Sequence, residues 1–469
     1  MNGETRKLVI LTFVIGMLIL SNFITPPEGL EPQGLRMLFI ALSGALLWVT
    51  EALPLGITGL LIIFVQSITG IVSLNEGLAL IGHPVNAVVL VGYLLAACLV
   101  NSGMDKRISL NIIARMGEKT GNVIFGIMIA TAFMSMWMSN TATTAIMVPI
   151  AAGILTMAKA KPLESNLGKA MLVGIAFAAN IGGMGTPTGT PANLITIALL
   201  DTLADINLTF VDWMVRALPL VVVMIPLTWF ILLRVFPLEI KVVEGGLASV
   251  KKQLEEMGSM SFEEKKVLAL FSTAIVLWLM DTFIPVMSGW LYVVAVLLTL
   301  IIVLPKIGFM SWGQAQKEIG WDVLFLVGGG MSMGAGLSAT GVIDWMAAIL
   351  STGLGALDQG VAIALFSAIT GFGITIFCSL SGTASTFVPV AIGLALSFGW
   401  DPTAFGVVAG LSASFAFLFP ANAAPNAVAY GSGYFKSTDM AKAGVFVIIT
   451  CIIVLGALAG FIIPGIYQY

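Results

Sequence analysis

Histidine is almost missing from this chain, cysteine is scarce and charge is thin, and each shortage closes off a class of function. One histidine, His83, stands in 469 residues. That leaves no His-Glu-x-x-His zinc pair and little scope for a histidine proton relay. Cys98, Cys378 and Cys451 lie far apart inside apolar runs, so they read as small apolar residues and not as a disulfide framework or a metal set. Only 10% of residues are charged, where soluble domains carry about a quarter. Acids and bases are mixed where they occur and sum to −3, which offers no basic patch to nucleic acid. There is no Walker motif for a primary pump. The interrupted apolar segments hold no nucleophile–base or acid pair of the kind an intramembrane enzyme needs.

What fills the chain instead is apolar: 58% of residues, with a mean hydropathy of +1.05. Runs long enough for a roughly 20-residue spanning helix recur along the whole length, which predicts an all-α polytopic membrane protein. A barrel would need short segments of alternating polarity. The first run, 8–24, follows Arg6-Lys7 and ends at Thr25-Pro26-Pro27-Glu28 without a small-residue cleavage site. It reads as the first span rather than a signal peptide. Runs 37–49, 55–71 and 87–100 follow as spans. Glu51, ahead of Pro54, reads as a helix-end acid at the interface, with a structural or coupling role as the alternative.

Two uncharged runs, 121–157 and 359–400, are interrupted near their middles by Ser139-Asn140-Thr141-Ala142-Thr143-Thr144 and Ser381-Gly382-Thr383-Ala384-Ser385-Thr386. In lipid such breaks are tolerated only against protein or a water-filled cavity. Basic loops flank the first run on both sides, Lys106, Arg107, Arg115 and Lys119 before it and Lys159, Lys161 and Lys169 after it. Both ends therefore belong on the cytoplasmic side, and the run reads as a re-entrant hairpin. Each hairpin precedes an apolar stretch broken by glycine and proline, 182–193 in one half and 419–426 in the other, where no helix runs on unbroken. The mixed-charge segment 234–266 reads as a cytoplasmic linker between the halves.

By charge the first hairpin enters from inside and the second from outside, so the expected fold is an inverted repeat with two re-entrant hairpins and two broken transmembrane helices. The expected parts are scaffold 1–120, hairpin plus broken helix 121–233, linker 234–266, scaffold 267–356 and a second hairpin plus broken helix 357–469. The N-terminus is expected in the cytoplasm. The last span, 443–463, would put the C-terminus outside.

Each hairpin tip opens a new half-helix, so Ser139/Asn140 and Ser381/Gly382 are expected at helix N-termini, where free N–H groups and the dipole favour an anion. Carbonyls of the unwound segments could ligate a small cation. With no arginine or lysine in these segments, a bound anion would be balanced by cations and helix dipoles, which points to cation-coupled anion uptake. Met134, Met136 and Met138 read as packing residues. An N-cap with helix–helix hydrogen bonding is the structural alternative for Ser139-Asn140-Thr141.

These residues resemble the divalent anion/sodium symporters, carriers of di- and tricarboxylates or sulfate. The resembling pieces are Trp48 to Pro54, Ser139-Asn140-Thr141-Ala142-Thr143, Gly182 to Asn193, Trp321-Asp322 and Ala423-Ala424-Pro425-Asn426, in order over nearly the whole chain. The resemblance implies a homodimer in a prokaryotic plasma membrane, with an elevator-like transport domain made of the hairpins and broken helices. It places one substrate carboxylate on Ser139, Asn140 and Thr141, and the other on Ser381, Gly382 and Thr383, with Thr190, Ala424 and Pro425 nearby. A first sodium site would take Ser135, Ser139, Asn140 and Gly189, and a second Ser381, Gly382 and Asn422. The second half departs from the family pattern: Gly382 replaces an asparagine, Phe377 stands where a cation-ligating hydroxyl is expected, and Asn422-Ala423-Ala424-Pro425 lacks Thr-Pro. The function so implied is sodium-coupled import of a C4-dicarboxylate such as succinate. The alternatives are a sodium-independent dicarboxylate exchanger and a carrier of a single-headed anion such as sulfate.

Overall fold

The computed structural model describes residues 3–243, 246–284, 289–350 and 357–459. Among them every long element is a helix, and the single β-bridge joins Lys119 to Val242. Nine described helices are long and apolar enough to cross a membrane, as the apolar runs predict.

The chain begins with α1 (Gly3–Leu20), α2 (Pro32–Thr50), α3 (Leu55–Ile68), the short α4 (Leu74–Ala79), α5 (Val85–Ser102) and α6 (Met104–Ala114). Helix α1 starts a few residues before the apolar run because its polar head Gly3-Glu4-Thr5-Arg6-Lys7 is already helical, and it is not among the nine helices that meet the length and hydropathy of a span. Helix α4 was not legible in the hydropathy; a capping box between Ser73 and Glu76 starts it. Glu51 is exposed and left-handed (φ 47°), closing α2 before Pro54 leads into α3.

Helices α7 (Thr120–Ser135) and α8 (Asn140–Met157) form the first expected hairpin, and α9 (Asn166–Gly183) and α10 (Pro191–Ala204) the first broken pair. Helix α11 (Phe210–Val235) returns along them, and α12 (Gly246–Met257) lies in the linker. The linker is anchored at both ends. Glu239 accepts from Ser165 Oγ and Leu167 N at the start of α9, and Arg107 of α6 donates to Met257 O and Gly258 O and to Glu264.

The second half runs through α13 (Phe262–Phe283), α14 (Leu291–Val303), α15 (Trp312–Glu318), α16 (Trp321–Ala339) and α17 (Val342–Leu350). It then forms a second hairpin from α18 (Gln359–Phe377) and α19 (Leu380–Phe398), followed by α20 (Pro402–Ser412), α21 (Ala424–Tyr430) and α22 (Ser437–Ala457). The last span opens six residues before the expected 443, and 460–463 of the expected range lie outside the described residues.

Helices α3 and α16 cross with their backbones close together. A Cβ on Gly329 would stand 2.2 Å from Gly59 Cα, and one on Gly59 would stand 2.5 Å from Phe325 O. Only glycine fits there, the small-residue device of membrane helix packing. Gln66 of α3 donates to Ser332 O of α16 at 3.0 Å, which satisfies a buried amide inside the crossing. Apolar packing fills the rest of the interior, with Trp48, Trp213 and Trp278 among the largest side chains fully buried.

Candidate transport site

The first hairpin tip is the chain between Ser135 and Asn140. Ser139 is the N-cap of α8, its Oγ accepting from Ala142 N at 3.2 Å, so the first free N–H groups of an 18-residue helix face outward from this point. The tip is held by Thr186 Oγ1, which donates to Met136 O. Behind it, fully buried Ser135 Oγ lies 2.6 Å from Asn140 Oδ1 and 2.8 Å from Ala179 O.

In this orientation the Asn140 amide oxygen faces acceptors only. Turned over, its nitrogen would donate to Ala179 O at 3.2 Å, Gly189 O at 3.3 Å and Ser135 Oγ at 2.6 Å. One small space therefore has oxygens from Ser135, Ala179 and Gly189 around it, and Asn140 can present to it either an oxygen or an N–H donor. With the oxygen in, four neutral oxygens converge, a donor set suited to a small hard cation. With the nitrogen in, the same space closes on its own hydrogen bonds.

Gly189 belongs to the unwound link between α9 and α10. A Cβ there would stand 2.4 Å from Gly183 O, so only glycine lets the strand lie this close to the end of α9. Asn193 shapes the link, donating from Nδ2 to Gly183 O at 2.9 Å and Thr186 O at 2.7 Å. Trp213 of α11 donates to Met184 O at 2.9 Å. The second break repeats this construction. Asn426 donates to Ala416 O at 2.7 Å and Phe419 O at 3.1 Å, carbonyls ten and seven residues upstream, as for Asn193. Thr190 before α10 and Ala423 before α21 share nearly one backbone conformation, φ −148°, ψ 144° and φ −154°, ψ 149°. Asn180 of α9 ties the two breaks together, donating to Ala416 O and Asn426 Oδ1. The second unwinding is longer than the sequence indicates. It begins at Ala413, and Ala424, Pro425 and Asn426 are already helix.

The second tip needs a correction of register. Helix α19 starts at Leu380, and its N-cap is Ser379, whose Oγ accepts from Gly382 N at 3.2 Å. Ser381 and Gly382 are the second and third residues of the helix, within its first turn as expected, but the cap is Ser379 and not Ser381. Pro149 stands ten residues after Ser139, and Pro389 ten after Ser379, so Ser379-Leu380-Ser381 occupies the place of Ser139-Asn140-Thr141. Counting four back from the cap leads to Ser135 in the first tip and to Thr375 in the second, not to Phe377. Thr375 Oγ1 is buried without a hydrogen-bond partner, while Phe377 packs edge-on to Phe387. Leu380, in the place of Asn140, packs against Ile374, Ala416 and Ala423. The hydroxyl of Thr383 donates back to Ser379 O, and a Cβ on Gly382 would meet Trp48 of α2 at 3.3 Å. Asn422 is buried, its Oδ1 accepting from Phe419 N. The resemblance of Ser-Gly-Thr to Ser-Asn-Thr hid this register; the proline spacing was the signal that could have revealed it.

A cavity of about 360 Å³ lies against the first tip. One wall is α5, from Val88 through Tyr93 to Asn101; the other is Ser139, Thr188, Gly189 and Pro191, and Glu318 at the end of α15 also lines it. The start of α8 and the start of α10 both border it, so two helix dipoles present their positive ends. No lysine or arginine lines it. Of the expected substrate residues Ser139 lines this space. Asn140 and Thr190 are buried behind it, the Thr190 hydroxyl without a hydrogen-bond partner, and Thr141 is half-buried on α8. Ser381, Gly382, Thr383, Ala424 and Pro425 do not line it. Asn101, Tyr93, Ala179, Asn180 and Asn193 were not anticipated. Ala179 acts through its carbonyl, which no side-chain pattern reports.

Comparison with known proteins agrees with this architecture. The family model described as "Sodium:sulfate symporter transmembrane region" matches residues 3–463. A sodium-dependent dicarboxylate transporter, SdcS, of Staphylococcus saprophyticus is 30% identical over 475 residues, covering 96% of this chain and 90% of its own. SdcS of Staphylococcus aureus strain USA300 is 29% identical over 458 residues, covering 93% and 88%. Among solved structures, Neisseria gonorrhoeae MtrF, described within a class of antimetabolite efflux pumps, matches with a TM-score of 0.57 at 14% identity, covering 97% of this chain and 95% of its own. That likeness concerns the fold alone. A multi-pass membrane protein whose sequence matches the symporter model from residue 3 to residue 463 is a transporter and not an enzyme, and the chain belongs to the sodium:sulfate symporter family, the divalent anion/sodium symporters.

Proposed function

We propose that the protein is a secondary active transporter that imports a small dianion, a C4-dicarboxylate such as succinate, malate or fumarate, together with Na+. The observation that carries this reading is the oxygen set of Ser135, Ala179, Gly189 and Asn140 directly behind a cavity bordered by two helix N-termini. A cation bound there adds positive charge beneath the helix starts that would hold a carboxylate, so each ion favours the other. Ser139, Asn140 and Thr141 take one carboxylate in this scheme, with Thr190 beside them. The other carboxylate falls to the second half, whose Ser381, Thr383, Ala424 and Pro425 would have to approach from outside the present cavity lining. The names of the staphylococcal relatives support the pairing of sodium with dicarboxylate.

The moving part in this reading is the unit of hairpins and broken helices, 121–233 and 357–469. It works as an elevator against a scaffold of 1–120 and 267–356, in a homodimer in a prokaryotic plasma membrane. The matching Asn193 and Asn426 constructions support an inverted repeat. A second reading, a sodium-independent exchanger or a carrier of a single-headed anion, draws on Leu380, which removes an amide from the second tip.

Protein reconstituted in liposomes should accumulate radiolabelled succinate under an inward Na+ gradient. Uptake indifferent to Na+ but driven by internal dicarboxylate would overturn symport in favour of exchange.

A further inference from the structure

The only histidine in the sequence is not part of the site, yet it joins two elements that the proposed motion would separate. His83 follows the short 3₁₀ turn Leu80–Gly82 and precedes α5. Its Nε2 lies 3.1 Å from Asp201 Oδ2 in the last turn of α10. Its Nδ1 accepts from Val85 N at 3.2 Å. With Nδ1 facing a backbone N–H, Nε2 is the ring nitrogen placed to donate to the carboxylate. The pair is mostly shielded, with 15% and 21% of the two side chains exposed. The Tyr292 ring of α14 stands edge-on to the imidazole at 6.3 Å.

The position gives the contact its meaning. Pro191 at the start of α10 borders the cavity, and Asp201 is ten residues on, about 15 Å away along the helix. On α5 the cavity wall extends to Asn101 near the C-terminal end, about 27 Å from the end that His83 precedes. The two helices run antiparallel, with the cavity lying along α5 from Val88 as far as Asn101 and with His83 joined to Asp201 just beyond its Val88 end.

We propose that His83 and Asp201 form a latch between the fixed and moving units, which holds the transporter in the state where the cavity is open beside Asn101 and Glu318. The latch rests on the moving-unit reading above. Breaking a hydrogen bond to a charged group of this kind should shift the balance of states about tenfold.

The test uses the full-length protein in detergent with Cys98, Cys378 and Cys451 replaced by alanine and a reporter introduced as Asn101→Cys. The reporter is titrated with a maleimide in NaCl with and without succinate. His83→Ala and Asp201→Ala should each slow labelling several-fold, the double variant no more than either single one. His83→Gln, whose amide can still donate to Asp201, should label near the parental rate. Gel filtration and thermal melting confirm that the variants are folded, and His83→Gln keeps the comparison available should the alanine variant fail. Labelling that responds to succinate but is unchanged by His83→Ala and Asp201→Ala overturns the latch and leaves the moving unit standing. Labelling indifferent to both ligand and substitution overturns the moving unit, and the latch with it.

Discussion

At the tip between α7 and α8, Ser139 caps a helix whose next residue is Asn140; at the tip between α18 and α19, Ser379 caps a helix whose next residue is Leu380. The caps, the prolines ten residues on and the asparagines that shape the following breaks are shared. The two tips thus share a backbone construction, while the residue after the cap is a polar amide in one and an apolar side chain in the other. Leu380 does not merely lack the amide: with Ile374, Ala416 and Ala423 it forms a small apolar cluster. Thr375 Oγ1 is left buried and unpartnered, a group that normally costs about 1–3 kcal/mol unless something pairs with it. One tip gathers oxygens of Ser135, Ala179, Gly189 and Asn140, and the other has Leu380 in the place of the amide.

The largest effect that could break this contrast is expected from Asn140→Ala. Removing both the fourth oxygen and the alternative donor should lower Na+-driven succinate uptake about a hundredfold or more, an order set by losing about 3 kcal/mol of polar interaction at a buried site. The purified variant should remain monodisperse. Full transport by the variant would show that the tip is a cap and nothing more.

Leu380→Asn sharpens the contrast from the other side. Returning an amide to the second tip, beside the free hydroxyl of Thr375, should steepen the Na+ dependence of uptake, with a Hill coefficient rising from near one toward two. An unchanged Na+ curve with intact transport would show that Leu380 is not what limits the second half.

The two breaks give a third comparison, read as stability. Asn193→Ala and Asn426→Ala each strip a buried amide from at least two carbonyls. Each should cost about 2–4 kcal/mol, seen as a fall of several degrees in thermal melting. Asn180→Ala, which removes the cross-link between the breaks, should cost less than either. Equal, negligible losses in all three would mean that the breaks are held by packing alone. The smallest effect is expected from the caps, Ser139→Ala and Ser379→Ala, at about 1 kcal/mol of helix stability each. Because Ser139 also borders the cavity, its variant alone should weaken succinate transport.

Much of this was written in hydropathy and in glycine and proline. The apolar runs located the spans, and the uncharged runs located both hairpins. Gly182 to Asn193 marked a break because no helix survives that density of breakers. Of the four residues named for a first sodium site, Ser135, Asn140 and Gly189 lie together, while the Ser139 hydroxyl caps α8. Four things stayed hidden for physical reasons. Ala179 contributes a backbone carbonyl, which any residue could supply. Helices α4 and α15 are short and begin with capping boxes, local signals too weak to stand out beside twenty-residue spans. The second tip was displaced by two residues because Ser381-Gly382-Thr383 looks like a binding motif, whereas Ser379-Leu380-Ser381 keeps the cap and loses the amide. Contacts such as Gln66 to Ser332 join residues more than 260 positions apart, a separation across which single-chain periodicity carries no information.

The glycine crossing of α3 and α16 sets a boundary on how the molecule can work. With Cβ-free backbones at Gly59 and Gly329 and a buried amide pinned to Ser332 O, neither helix can slide a residue along the other without driving a side chain into its neighbour's main chain. The first and second halves are therefore riveted at this seam into one rigid keel. Any travel that carries cargo across the membrane has to be taken up along other surfaces, those where side chains and not bare backbone meet.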